Sequence, residues 1–383
     1  MRPWRSAAAD YPPHVLRRAL TTSIAGIGLA VATAIGGASP VPGPGLDETT
    51  RDRLDRAVSS VFVPYDSPGY AMGVWMPDGR EYLRAYGVAN RLTGAPTQVD
   101  DHWRIGSVTK TMTAVAVLRL VDRGVLSLDD RLARFVPGIT FGARITIRQL
   151  LGMHSGVFDV TPQILANPFR WSVAKSITAM RRGRPQFRPG ARGVYDNSNY
   201  ILLGRVLEAA AGRPAGEVIR DEVLVPAGLA QTTLPTTMGM PGPFRRGYYA
   251  TTPGGALRDG TRSNPDAAWT AGNGISTLRD LGRWATVLSD GSLLSPGLHA
   301  AQMRTTRITV DGDPGWRYGL GVFVYPGGWR GHTGYIPGYS TAMAHDPASG
   351  ATVVVTGAGP MGAVARTAMF KVIRIIAGAP PPG

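Results

Sequence analysis

A chain of 383 residues, 43% hydrophobic and 17% charged, is long enough to bury a large core, and its 50 Gly and 31 Pro indicate many turns without low complexity. The net charge of +15 is carried by scattered arginines with no run of five or six like charges, which argues against a nucleic-acid partner. Cysteine is absent, which excludes disulfides, thiol catalysis and lipid attachment at a cleavage-site cysteine.

In chain order, residues 1–45 read as a signal segment and linker: a basic start, an apolar run over 24–38, small residues, then a Pro/Gly break. The run is shorter than the ~20 residues of a spanning helix, so no stable membrane span is expected unless the leader stays uncleaved. Arg17 and Arg18 weakly suggest a twin-arginine route, and the expected location is secreted or cell-wall associated. Removing the leader's four arginines and one aspartate takes the net charge from +15 to +12, which favours residence near anionic cell-wall polymers.

A helix is expected over 47–63. The stretch "YAMGVWMPDGREYLRAYGVAN" then alternates apolar and polar residues around Pro77-Asp78-Gly79, the pattern of a β-hairpin. "RIGSVTKTMTAVAVLRLVDRG" at 104–124 is a helix apolar on most sides, hence central, with Gly124 at its C-terminal cap. From 126 to 268 short helical patterns such as "TIRQLLGM" and "NYILLGRVLEAAAG" alternate with Pro/Gly breaks. Strand signals return in "YGLGVFVYPGG", "YSTAMAHDPASG" and "ATVVVTG", and "VARTAMFKVIRIIAG" closes the chain as an amphipathic helix. The expected class is α+β: an antiparallel sheet from residues 46–125 and 269–383, flanked by terminal helices, with an inserted, mostly helical subdomain at 126–268.

Chemistry is suggested first by Ser107 and Lys110, one turn apart at the mouth of that apolar helix. Only three of the 41 basic residues are lysines (Lys110, Lys175, Lys371), so lysine is not the chain's default cation. Arginine keeps its proton inside a protein, whereas a buried lysine can become neutral and act as a base. The helix N-terminus would stabilise an oxyanion formed when Ser107 attacks a carbonyl. Taken alone, the same pair also reads as a helix cap beside a snorkelling lysine. Two more polar clusters follow: Tyr195 and Asn197 on a turn before a helix, which alone read as an Asx turn, and His332, Thr333 and Gly334 at a strand edge. His154 reads as ordering a loop, and the six histidines show no metal-ligand spacing.

Ser107-x-x-Lys110, Tyr195-x-Asn197 and His332-Thr333-Gly334 together resemble the three motifs of the penicillin-recognising serine hydrolases. The branch is that of class C β-lactamases, D-alanyl-D-alanine carboxypeptidases and related esterases and D-amino-acid peptidases. "HWRIGSVTKTMTAVAVLRLVDRGVLSLDDRLARFVP", "ITIRQLLGMHSGV", "GNGISTLRDLGRWATVLSDG" and "GHTGYIPGYSTAMAHDPASG" extend the resemblance from about 46 to the end. It implies a β-lactamase/transpeptidase-like fold and an acyl-enzyme on Ser107, with Lys110 drawing off the serine proton. Tyr195 would relay the proton, its phenol pulled down in pKa by Lys110, and Asn197 would bind substrate and fix the lysine. The amides of Ser107 and Tyr335 would form the oxyanion hole, Gly334 would admit the substrate backbone, and His332 and Thr333 would hold a substrate carboxylate. The histidine at the head of the third motif resembles the carboxypeptidases and peptidase-like relatives more than the β-lactamases. Small peptides, β-lactams or esters are the implied substrates, no cofactor is implied, and a non-catalytic peptidoglycan-binding relative is the rival reading.

Overall fold

Asp47 opens helix α1 (Glu48–Phe62) by accepting the Thr50 N–H at 2.8 Å. Strands β1 (Gly69–Trp75) and β2 (Glu81–Gly87) follow as the expected hairpin, and β3 (Trp103–Arg104) leads into a 3-10 turn, Gly106–Val108. Helix α2 (Thr109–Asp122) continues from that turn. The next helices are α3 (Ile147–Leu151), α4 (Thr161–Ala166), α5 (Val173–Arg182), α6 (Ser198–Ala211), α7 (Ala215–Ile219) and α8 (Pro265–Ala268). Short strands β4 (Tyr248–Tyr249) and β5 (Arg258–Asp259) lie in the same stretch, and β6 (Ile275–Ser276), α9 (Leu278–Asp290) and α10 (Pro296–Met303) follow it. The chain then runs through β7 (Thr306–Val310), β8 (Asp313–Tyr318), β9 (Phe323–Val324), β10 (Arg330–Ile336), β11 (Tyr339–His345), β12 (Thr352–Gly357) and α11 (Val364–Ile376). This computed structural model describes residues 45–250, 255–359 and 364–378; the leader read at 1–45 lies outside the described residues, Gly45 apart.

Eight strands form one antiparallel sheet in the order β2-β1-β12-β11-β10-β9-β8-β7, so the first hairpin completes a sheet made otherwise by the last third of the chain. Every residue of β11 and β12 is buried, because helices cover both faces. On one face Thr352 reaches Thr286 of α9; on the other, the space at Gly357 is filled by Phe62 of α1, which packs with α11. These two strand positions have opposite parity and so point to opposite sides.

Helices α3 to α8 occupy the stretch read as a helical insertion, but that stretch does not part from the sheet as a separate body. Among the described residues, Val194, Thr233 and Phe244 within it make single bridges to Thr309, Ile275 and His102 outside it, and α6 within it packs on α2. One hairpin was not expected. β7 and β8 join through Asp311-Gly312, both at positive φ (50° and 87°), the two-residue turn that suits a twisted hairpin. No described helix is long and apolar enough to cross a membrane.

Candidate active site

The polar residues of α2 explain how a buried helix can carry chemistry. Thr109, Lys110, Thr111 and Thr113 are buried, and each finds an internal partner. Thr109 donates its hydroxyl to Gly106 O (2.7 Å) and accepts the Gly274 N–H (3.0 Å); Thr113 donates to Thr270 O (2.7 Å). Thr111 Oγ1 accepts the Trp284 indole N–H at 2.7 Å. Segment 270–274 is thereby fastened along α2, which delivers the Ala271 carbonyl to the lysine.

Lys110 Nζ lies 3.0 Å from Ser107 Oγ, 2.6 Å from Asn197 Oδ1 and 2.7 Å from Ala271 O. Two of these partners are carbonyl oxygens and can only accept. A neutral amine has two N–H bonds and one lone pair, so donating to both carbonyls leaves the lone pair facing the Ser107 hydroxyl. Burial pulls the Lys110 amine down to about 7, with Asp196 and Asp159 pushing partly back. The base form is therefore populated at neutral pH.

Tyr195 joins the same cluster: its phenol is hydrogen-bonded to Ser107, and its ring passes 5.1 Å from Lys110 Nζ. Its pKa corrects the expectation from sequence. Burial holds the phenol well above its ordinary value, partly offset by the Ser107 bond, so Tyr195 stays protonated rather than being drawn toward neutrality. Helix α6 is capped by Asp196, whose Oδ1 accepts the Asn199 N–H at 3.0 Å, and the Asn197 side chain is thus released from capping to face the lysine.

Strand β10 supplies the opposite wall. It turns into β11 through Pro337-Gly338, which puts Ile336, Gly334 and His332 in the pairs that exchange ladder bonds. The N–H groups of Thr333 and Tyr335 then point to the other edge, beyond the end of β9, which pairs only with Arg330 and Gly331. Glycines set the closeness of this edge to Ser107. A Cβ on Gly334 would overlap Ile105 O and lie 2.8 Å from Ser107 N; one on Gly106, where φ is +51°, would lie 2.6 Å from Tyr335 N. Ser107 N and Tyr335 N thus both lie at the contact between the 3-10 turn and β10, with Thr333 half-buried beside Gly334.

His332 does not join that wall. Its side chain is 0% exposed, donates Nδ1–H to Thr333 O (2.6 Å) and lies 3.2 Å from the Tyr318 hydroxyl, packed against Phe323 and Tyr195. A group so enclosed offers no atom to a substrate carboxylate, which corrects the role expected for it. Burial pulls its pKa down to about 3, with the nearby Lys110 contributing. Between the ordinary value near 6.5 and that value the unfolded chain holds a proton the folded chain lacks, so stability falls as pH falls through this window. Urea unfolding at pH 7 and 4.5 should show a loss attributable to His332 of about 2 to 3 kcal/mol that His332→Gln lacks; an equal acid loss in both proteins would contradict a buried neutral imidazole.

His154 stands outside the cluster, its Nε2 2.7 Å from Thr306 Oγ1, so it ties the loop after α3 to β7. Among the described residues no group of three or more His, Asp or Glu could hold a metal ion. Sequence reasoning missed Asp159, Thr161, Asp196 and the Ala271 carbonyl. Only Asp196, an acid between two motif residues, left a local signal.

The model of the family described as Beta-lactamase matches residues 49–377. The chain belongs to the Beta-lactamase family. As a member it is a serine hydrolase with the family's α+β fold. It is 30% identical to Penicillin-binding protein 4 of Amycolatopsis lactamdurans, over 78% of this chain and 80% of that protein. To the D-alanyl-D-alanine-carboxypeptidase/endopeptidase AmpH of Escherichia coli K12 it is 27% identical, over 85% of this chain and 88% of that protein. A crystal structure of a D-stereospecific amidohydrolase from Streptomyces superposes with a TM-score of 0.73 at 28% identity, covering 84% of this chain and 97% of the other.

Proposed function

We propose that the chain is a secreted hydrolase that forms an acyl-enzyme through Ser107 and acts as a D-alanyl-D-alanine carboxypeptidase-like peptidase. The observation that carries this reading is the Lys110 amine, buried, 3.0 Å from Ser107 Oγ and bonded to two carbonyl oxygens. Its lone pair takes the Ser107 proton as Oγ bonds to the substrate carbonyl carbon. The resulting oxyanion sits between the N–H groups of Ser107 and Tyr335, which are fixed by the backbone and need no reorganisation. As the tetrahedral adduct collapses, the C–N bond breaks and the leaving amine takes a proton through the protonated Tyr195 phenol, replenished from the Lys110 ammonium. Water then attacks the ester, its proton passing through the same groups to Ser107 Oγ as the acyl C–Oγ bond breaks and the acid product leaves.

The free edge of β10 supports a peptide substrate, because an extended backbone can add to it as a strand. The relatives named for D-alanyl-D-alanine carboxypeptidase and D-stereospecific amidohydrolase activity support D-configured substrates. The leader-like segment and the basic surface charge support export toward cell-wall polymers. A second reading is favoured by His332. Since the third motif offers no exposed cation, an esterase or amidase acting on an uncharged group fits the same serine chemistry.

A hydrolysis panel tests both: a D-Ala-D-Ala peptide, the same peptide with its C-terminus amidated, nitrocefin and a short p-nitrophenyl ester. Release of D-Ala, abolished in Ser107→Ala, is the expected result. Cleavage of only the amide or ester would replace the carboxypeptidase with the second reading, nitrocefin turnover alone would make the chain a β-lactamase, and no covalent penicillin or fluorophosphonate label would leave a binding protein.

A further inference from the structure

The Lys110 amine is placed by Asn197, and Asn197 is itself held from behind. Its backbone N–H donates to Thr161 Oγ1 at 3.1 Å, and Thr161 is held in turn by Asp159. Asp159 Oδ1 accepts the Thr161 N–H at 2.8 Å. This makes one chain of bonds, Asp159 to Thr161 to Asn197 to Lys110. Ser198 locks the two segments together, donating to Phe158 O (2.8 Å) and accepting the Val160 N–H (3.0 Å). On the other flank Asp196, only 2% exposed, accepts N–H groups from the Asn199 backbone, the Asn199 amide (2.8 Å) and Gln186 (2.9 Å).

The charge around the lysine is equally asymmetric. The other titratable groups facing it are Tyr195, Tyr200, whose ring lies 5.8 Å from Nζ, and His332, all neutral near pH 7. Asp159 and Asp196 are the acids that act on it. Burial raises both carboxyls, Asp196 to about 8 with Asp159 pushing it further up, so Asp196 is mostly protonated at pH 7 and Asp159 is the acid left to balance the lysine.

We propose that Asp159 and Thr161 are positioning residues for the acyl transfer: Thr161 braces Asn197 from the Asp159 carboxylate, and Asp159 supplies the counter-charge that lets Lys110 carry the serine's proton. The proposal rests on acylation at Ser107, but its test does not. The chain has three lysines, so protein labelled with 13C-lysine should give three ε-carbon signals, and Lys110 is identified by its loss in Lys110→Met. Removing an opposite charge this close lowers a lysine midpoint by about one unit or more. Asp159→Asn should therefore move the Lys110 midpoint down by about that amount. Should that variant not fold, Thr161→Val, which loosens Asn197 and its carbonyl on the lysine, is expected to give a smaller shift of the same sign. An unmoved midpoint overturns the counter-charge role. For the brace, Thr161→Val should lower kcat about tenfold with little change in KM, and Thr161→Ser should restore it, as loss of a group acting through the base predicts; undiminished kcat in Thr161→Val overturns it. A protein whose Lys110 titrates and shifts as stated, yet forms no acyl-enzyme, defeats the reading of Ser107 and not this one.

Discussion

Replacing Lys110 by arginine is expected to slow acylation of Ser107 by about 10²- to 10⁴-fold, the range a lost general base accounts for. Arginine keeps the positive charge and can donate to Asn197 Oδ1 and Ala271 O, but it has no lone pair to receive the serine proton. The bulkier side chain enters a fully buried position, so Lys110→Gln serves as the companion variant, and circular dichroism checks that both fold. Labelling rate with a fluorescent penicillin, or the burst of a p-nitrophenyl ester, reads the step directly. The wild-type rate should rise with pH along a limb centred near 7, the value to which burial pulls the amine, as the fraction of neutral lysine grows. A limb at the same pH in Lys110→Arg, or a rate within tenfold of wild type, would assign the proton transfer to another group.

Gly334→Ala should cost activity by at least about 100-fold through the oxyanion donors rather than through any catalytic side chain. The new methyl would overlap Ile105 O and press on Ser107 N, both backbone atoms that cannot rotate away. Strand β10 must then withdraw from the 3-10 turn, taking Tyr335 N–H from its place beside Ser107 N–H. Gly106 forms the other side of this same backbone contact, and Gly106→Ala adds the strain of a side chain at φ +51°. Overpacking of this kind destabilises by about 1 to 3 kcal/mol, which urea unfolding would register. Acylation by Gly334→Ala at nearly the wild-type rate would mean that the strand and the turn do not work as paired donors.

Much of this was legible locally. A Ser-x-x-Lys step on one helix places hydroxyl and amine together whatever the rest of the chain does, and the Pro77-Asp78-Gly79 turn specifies its own hairpin. The apolar run at β12 identifies a strand covered on both faces. By contrast the β7–β8 hairpin, though signalled by Asp311-Gly312, lies in a polar, exposed stretch whose alternation is weak.

The sequence by itself therefore determined the reacting groups and their order, because covalent spacing along a helix or across a tight turn fixes neighbours within a few residues. Tertiary structure alone decided their state. Lys110 is bonded to a carbonyl 161 residues away, Tyr195 is held protonated, His332 faces the aromatic core instead of the cleft, and two acids gather behind Asn197. Charge in a buried site depends on what excludes water and which distant main-chain atoms arrive, and both are properties of packing, not of spacing.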